Sequence, residues 1–93
     1  MASRALQARR YRERIVNMLD YLGGACSECG IDNATAIEDF GTRLQIDHVD
    51  RTEKLFDPAA SGRAWVNLTD ELDKCQLLCK PCHGTKTRED QAA

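Results

Sequence analysis

Two Cys-x-x-Cys pairs, a run of helically spaced apolar residues ahead of the first, and two short alternating segments between them predict an α+β fold. The expected architecture is a small domain stapled by a metal ion and preceded by a basic helix. With 93 residues the chain is expected to form a single domain over 1–93, and so short a core is marginal without a staple. Within it, 1–24 reads as the basic amphipathic helix and 25–90 as the stapled core.

The helix is expected from Ala2 to about Leu22, where Leu6, Tyr11, Ile15, Met18, Leu19 and Leu22 fall largely at helical spacing. Gly23-Gly24 supplies a stop. Cys26-Ser27-Glu28-Cys29-Gly30 then forms a tight knuckle, whose glycine permits the turn that aims backbone amides at sulfur. Ile31 to Phe40 has no clear period and reads as loop or a short helical turn. Arg43 to Val49 alternates as a strand, with Leu44 and Ile46 facing the core. Asp50 to Arg63, with Pro58, Gly62 and small residues, reads as a surface loop. Ala64 to Lys74 fits a short helix with Trp65, Leu68 and Leu72 on one side. Cys75 to Cys79 is a second strand, Lys80-Pro81-Cys82 turns the chain, and His83 to about Asp90 is a terminal helix.

Composition excludes several classes. No apolar stretch is long enough to span a bilayer, and Met1 to Arg14 is charged, without the apolar segment of a signal peptide. A cytoplasmic setting is therefore expected, in which cysteines in spaced pairs are metal-binding thiolates rather than disulfides. Cys26, Cys29, Cys79 and Cys82 are the expected ligands of a structural Zn²⁺, which takes four donors in a tetrahedron. Cys75 is their rival. If the second strand is extended, its Cα lies roughly 13 Å from that of Cys79, too far to share one ion. Cys75 is expected instead as a small buried hydrophobe beside Leu77.

A net charge of −2 by itself argues against a nucleic-acid binder, but the distribution is uneven. Arg4, Arg9, Arg10, Arg12 and Arg14 face only Glu13 within the first fourteen residues, and the tail adds Lys80, Lys86 and Arg88. Two readings stand at this point: a solvated helix face, or a set of phosphate contacts.

Between the cysteine pairs sits Asp47-His48. Ile46-Asp47-His48-Val49, followed by Leu77-Leu78-Cys79-Lys80-Pro81-Cys82-His83-Gly84-Thr85-Lys86-Thr87, resembles an HNH endonuclease of the zinc-stapled kind common in bacteriophages and bacteria. Tyr21-Leu22-Gly23-Gly24 ahead of Cys26 also resembles the corresponding segment of that family, and the likeness covers about residues 20–88. It implies a ββα-metal (His-Me finger) fold gripping one catalytic divalent cation, Mg²⁺, Mn²⁺ or another, apart from the zinc. It further implies a one-metal hydrolysis of DNA in which His48 is the general base, a role the imidazole side chain commonly fills. Asp47 and His83 are the implied cation ligands, with Asn67 or Thr87 as candidates for a third. The implied products carry 5′-phosphate and 3′-hydroxyl ends. DNA is the implied partner, contacted by Arg9, Arg10, Arg12, Arg14, Lys80, Lys86 and Arg88, with a targeting or packaging protein as a further partner.

One position departs from the family. Many members have asparagine five residues before the first cysteine of the second pair, where this chain has Lys74. Read without the resemblance, His48 is equally a satisfied strand histidine and His83 a helix cap. The alternative function is accordingly a catalytically silent zinc domain that binds DNA or a protein partner.

Overall fold

The computed structural model describes residues 4–92, so the expected helix start at Ala2 lies outside it. Helix α1 spans Arg4–Tyr21 and buries Ile15, Met18 and Leu19, the i, i+3, i+4 stripe of its C-terminal half. Tyr11 was expected on that stripe but is exposed. A helix of 18 residues is a rod about 27 Å long, and its first turns run past the core it packs on. The helix ends where the sequence places the stop. Gly23 and Gly24 take φ of +97° and +73°, and their amides donate to the carbonyls of Asp20 and Leu19.

The segment that follows the first knuckle is more ordered than expected: Asn33–Phe40 is a second helix, α2. Its signals are at its ends. The Asp32 carboxylate accepts the Thr35 amide at 2.8 Å, and Gly41, at φ 73°, closes the helix through its N–H to the Ile37 carbonyl. Only Ala36 is fully buried within it, which is why no apolar period is visible.

Strand β1 (Gln45–His48) pairs antiparallel with β2 (Cys75–Leu78), placing Ile46 opposite Leu77, Asp47 opposite Gln76 and His48 opposite Cys75. Leu44, just ahead of β1, is fully buried, and Ile46 is packed against the core as expected. The connection between the strands holds two 3-10 turns, Arg51–Glu53 and Pro58–Ala60, capped by the carboxylates of Asp50 and Asp57. Helix α3 (Trp65–Leu72) buries Leu68 and Leu72. Trp65, expected beside them, is largely exposed and meets Tyr21 edge-on with ring centroids 5.9 Å apart.

Helix α4 covers Lys80–Ala92 and so starts three residues earlier than expected. Pro81 is part of its first turn, where a missing amide costs nothing, rather than a separate turn. The core joins Ile15, Met18 and Leu19 of α1 to Leu44, Leu68, Leu72, Leu77 and Leu78. Among the described residues no helix is long and apolar enough to cross a membrane. Truncating Leu77, fully buried at the centre of this cluster, removes transfer energy and leaves a cavity. Leu77→Ala is expected to lower unfolding stability by about 3 kcal/mol in urea titrations of the zinc-loaded protein.

Candidate metal centres and active-site cleft

Both Cys-x-x-Cys pairs converge. The sulfurs of Cys26, Cys29, Cys79 and Cys82 lie within 4.8 Å of one another, and Cys29 Sγ is 3.6 Å from Cys79 Sγ. A tetrahedral zinc with Zn–S bonds near 2.3 Å sets its sulfurs about 3.8 Å apart, so the cage has the size of that ion. The first knuckle is held by Cys26 N–H to Ile31 O and Gly30 N–H to Cys26 O, both 2.9 Å, and docks on β2 through Ser27 N–H to Leu77 O at 2.8 Å.

Electrostatics point the same way. Burial opposes charge on Cys26, yet the amides of Cys29, Cys79 and Glu28 bring its pKa down to about 6. Cys82 is pushed up by its contact with Cys79 and by burial. One thiolate is thus favoured while Cys29 and Cys82 are pushed up, since a second bare negative charge would sit beside the first. A divalent cation removes that conflict. Cys75 stays outside the cage and is half-buried; its Sγ donates to the Glu71 carbonyl at 3.3 Å. Burial and then the Glu71 charge raise its pKa to about 11.

The second arrangement is an open cleft of about 350 Å³ lined by Asp47, His48, Arg51, Lys54, Asp57, His83, Lys86 and Thr87, with Gln45 and Ile46. Asp47 Oδ1 lies 3.5 Å from His83 Nε2. Its Oδ2 receives Lys86 Nζ at 3.0 Å and Gln76 Nε2 at 3.3 Å. Two donors on one hard cation, at bonds near 2.1 Å and a right angle, lie about 3.0 Å apart. A carboxylate oxygen and an imidazole nitrogen at 3.5 Å fit that role with a small adjustment of the half-exposed His83 ring. Two protein ligands would leave the remaining positions to water and substrate.

His48 follows Asp47 on the strand, so its side chain points to the other face, toward α3. Its ring is 6% exposed, and Nε2 lies 2.7 Å from Oε2 of Glu71, itself 1% exposed. Burial alone would raise the Glu71 pKa. The Lys74 ammonium, the Leu55 amide, the His48 ring and the Phe56 amide together bring it down to about 2. An ionised carboxylate only accepts, so Nε2 carries the proton in the neutral ring and Nδ1 keeps its lone pair. Among the described residues no fully buried side-chain nitrogen or oxygen lacks a partner. Nδ1 makes no hydrogen bond among the described residues, and it therefore reaches solvent.

A family model described as HNH endonuclease matches residues 26–89. The chain belongs to the HNH endonuclease family. No curated protein and no solved structure matches it at a significant level. The family is one of nucleases, and both cysteine pairs, Asp47, His48 and His83 lie inside the matched span.

Within this HNH domain the residues named from sequence separate by position. Asp47, His48, His83, Lys86 and Thr87 share the cleft; Thr87 donates its hydroxyl to the His83 carbonyl at 2.9 Å. Asn67 does not join them. It is exposed on α3 and does not cap that helix, whose first turn has no side-chain cap. Lys74, at the family's asparagine position, donates to the Glu53 carbonyl at 3.2 Å and to Glu71 Oε1 at 2.9 Å, tying down the chain after β1 instead of lining the cleft.

The arginines divide as well. Arg14 is committed internally, its guanidinium donating to the carbonyls of Ser61 and Arg63 at 3.1 and 2.8 Å. Arg9, Arg10, Arg12, Lys80 and Arg88 are exposed. Sequence reading missed Glu71, Arg51 and Lys54. Glu71 leaves a trace, a carboxylate three residues after Leu68 on the stripe that buries α3. Arg51 and Lys54 leave none, because the turn that brings them beside Asp47 is set by capping and tertiary ties.

Thiol reactivity tests the assignment of cysteines. In the zinc-loaded protein at neutral pH no cysteine is expected to react quickly with iodoacetamide, since four are ligated and Cys75 stays protonated. Chelation should open Cys26, Cys29, Cys79 and Cys82 to alkylation, mapped by mass spectrometry, with Cys26 reacting first, and Cys75→Ser should still bind one zinc. Loss of zinc from that variant would exclude the ligand set.

Proposed function

We propose that this HNH protein is a metal-dependent endonuclease that hydrolyses DNA phosphodiester bonds with His48 as general base. The observation that carries the reading is the common cleft. It gathers a carboxylate and an imidazole spaced for one cation, a histidine with its Nδ1 open to solvent, and the cations Arg51, Lys54 and Lys86. Asp47 and His83 would hold the divalent ion, Mg²⁺ or Mn²⁺, in a one-metal mechanism. When bound, that ion supplies Lewis-acid stabilisation of negative charge on the phosphate and the departing oxygen.

The chain's own residues do the rest. His48 Nδ1 takes a proton from a water molecule as the water oxygen attacks phosphorus. The P–O3′ bond breaks, its electron pair stays on the 3′-oxygen, and that oxygen takes a proton from solvent. The ends are a 5′-phosphate and a 3′-hydroxyl. The neighbouring phosphates would meet Arg51, Lys54 and Lys86, with Arg9, Arg10, Arg12, Lys80 and Arg88 as more distant contacts and Arg14 withdrawn from that set. Among the described residues no Phe, Tyr or Trp lines the cleft, so base stacking there would not supply sequence specificity.

Plasmid nicking with Mg²⁺ or Mn²⁺ tests the reading. Wild type is expected to nick, and His48→Ala to lose about 10²–10⁴-fold in rate while still binding one zinc, at lower stability because Glu71 loses a donor. Arg51→Ala and Lys54→Ala should each weaken DNA binding and reduce its salt slope by about one. Equal nicking by wild type and His48→Ala would sink the catalytic assignment and leave a zinc domain that binds without cutting.

A further inference from the structure

The proposed mechanism needs His48 in one tautomer and one orientation, and a single buried side chain outside the cleft provides both. Glu71 projects from α3 with one oxygen, Oε2, between His48 Nε2 at 2.7 Å and the Leu55 amide at 2.9 Å, with the Phe56 amide at 3.5 Å. Its other oxygen, Oε1, takes Lys74 Nζ at 2.9 Å, and the same ammonium reaches the Glu53 carbonyl. The carboxylate therefore joins the end of β1 to residues 53–56, the segment that follows Arg51 and includes Lys54. No cleft-lining role accounts for it, since Glu71 does not border the cleft. A buried carboxylate is costly unless fully partnered, so its place on an otherwise apolar helix stripe calls for a use.

We propose that Glu71 is a positioning residue for the nuclease reaction: through Oε2 it fixes the His48 ring with the proton on Nε2 and Nδ1 turned to the cleft. The inference rests on His48 acting as the base. The imidazole then needs no tautomer change or ring rotation before it accepts the proton from water, and the cost of orientation is met in folding. Glu71 also holds the segment bearing the phosphate-contact candidates in register with that ring.

The test compares Glu71→Gln and Glu71→Leu with wild type in the full-length, zinc-loaded protein. The chain has two histidines, so ring ¹⁵N resonances are assigned by their loss in His48→Ala. At mildly alkaline pH, without added Mg²⁺, wild type should show His48 protonated at Nε2 alone. Glu71→Gln, whose carbonyl still accepts from Nε2–H, should keep that signature and most of kcat. Glu71→Leu should show mixed tautomers and lose about 100-fold in kcat, a larger effect than the rise in KM for plasmid DNA that follows from loosening residues 53–56. An Nδ1–H tautomer in wild type overturns the proposal whether or not the protein nicks DNA. So does a Gln variant that keeps the tautomer yet loses kcat, which would place the effect in charge rather than orientation. If wild type shows the Nε2–H form but does not nick, the nuclease reading fails and the Glu71–His48 geometry stands apart from it. If Glu71→Leu does not fold, the Gln variant and the wild-type resonance decide.

Discussion

The four-sulfur cage is the constraint from which the rest of the structure follows. It joins residues fifty positions apart, Cys29 and Cys79, in a chain whose core is a few leucines and one helix stripe. Bringing such distant knuckles together costs chain entropy that a small core repays poorly. A cation bound by four thiolates in the folded state, and by nothing comparable in the unfolded one, makes its binding energy part of the folding energy. The cage also fixes geometry beyond itself. The second knuckle ends β2 and opens α4, so His83 is delivered one residue after Cys82, and Lys86 three residues further along the same helix.

Strand alternation then divides the work between two helices. Asp47 and His48 are neighbours in β1 and so face opposite ways. Asp47 meets His83 and Lys86 from α4, whereas His48 meets Glu71 from α3. A carboxylate suited to a cation and a ring suited to a proton are thereby kept close in sequence but supported separately. Lys86 spans the two, its ammonium close to both the Asp47 carboxylate and the His48 carbonyl.

Burying Glu71 would be destabilising if any of its donors were missing. Lys74, Leu55 and His48 meet both oxygens, and the carboxylate stays ionised down to about pH 2 in consequence. Lys74 is thus explained without any cation in the cleft. At the position where the family commonly has asparagine, it ties the chain after β1 to α3.

The sequence by itself determined the end of α1 and the gathering of the paired cysteines into one cage. Gly23-Gly24 stops α1 through glycine's freedom at positive φ, and paired cysteines at fixed spacing leave few folds other than a cage. The Asp47-His48 pair and His83 could be singled out because they fall in the HNH pattern, one between the cysteine pairs and the other directly after the second. Tertiary structure decided what depends on approach through space. It placed Arg51 and Lys54 in the cleft, withdrew Arg14 to the carbonyls of Ser61 and Arg63, left Asn67 in solvent, and gave His48 a buried carboxylate partner. Local pattern reports which face of an element is buried. Which charged side chain meets which is set by packing between elements distant in the chain, and no period records that.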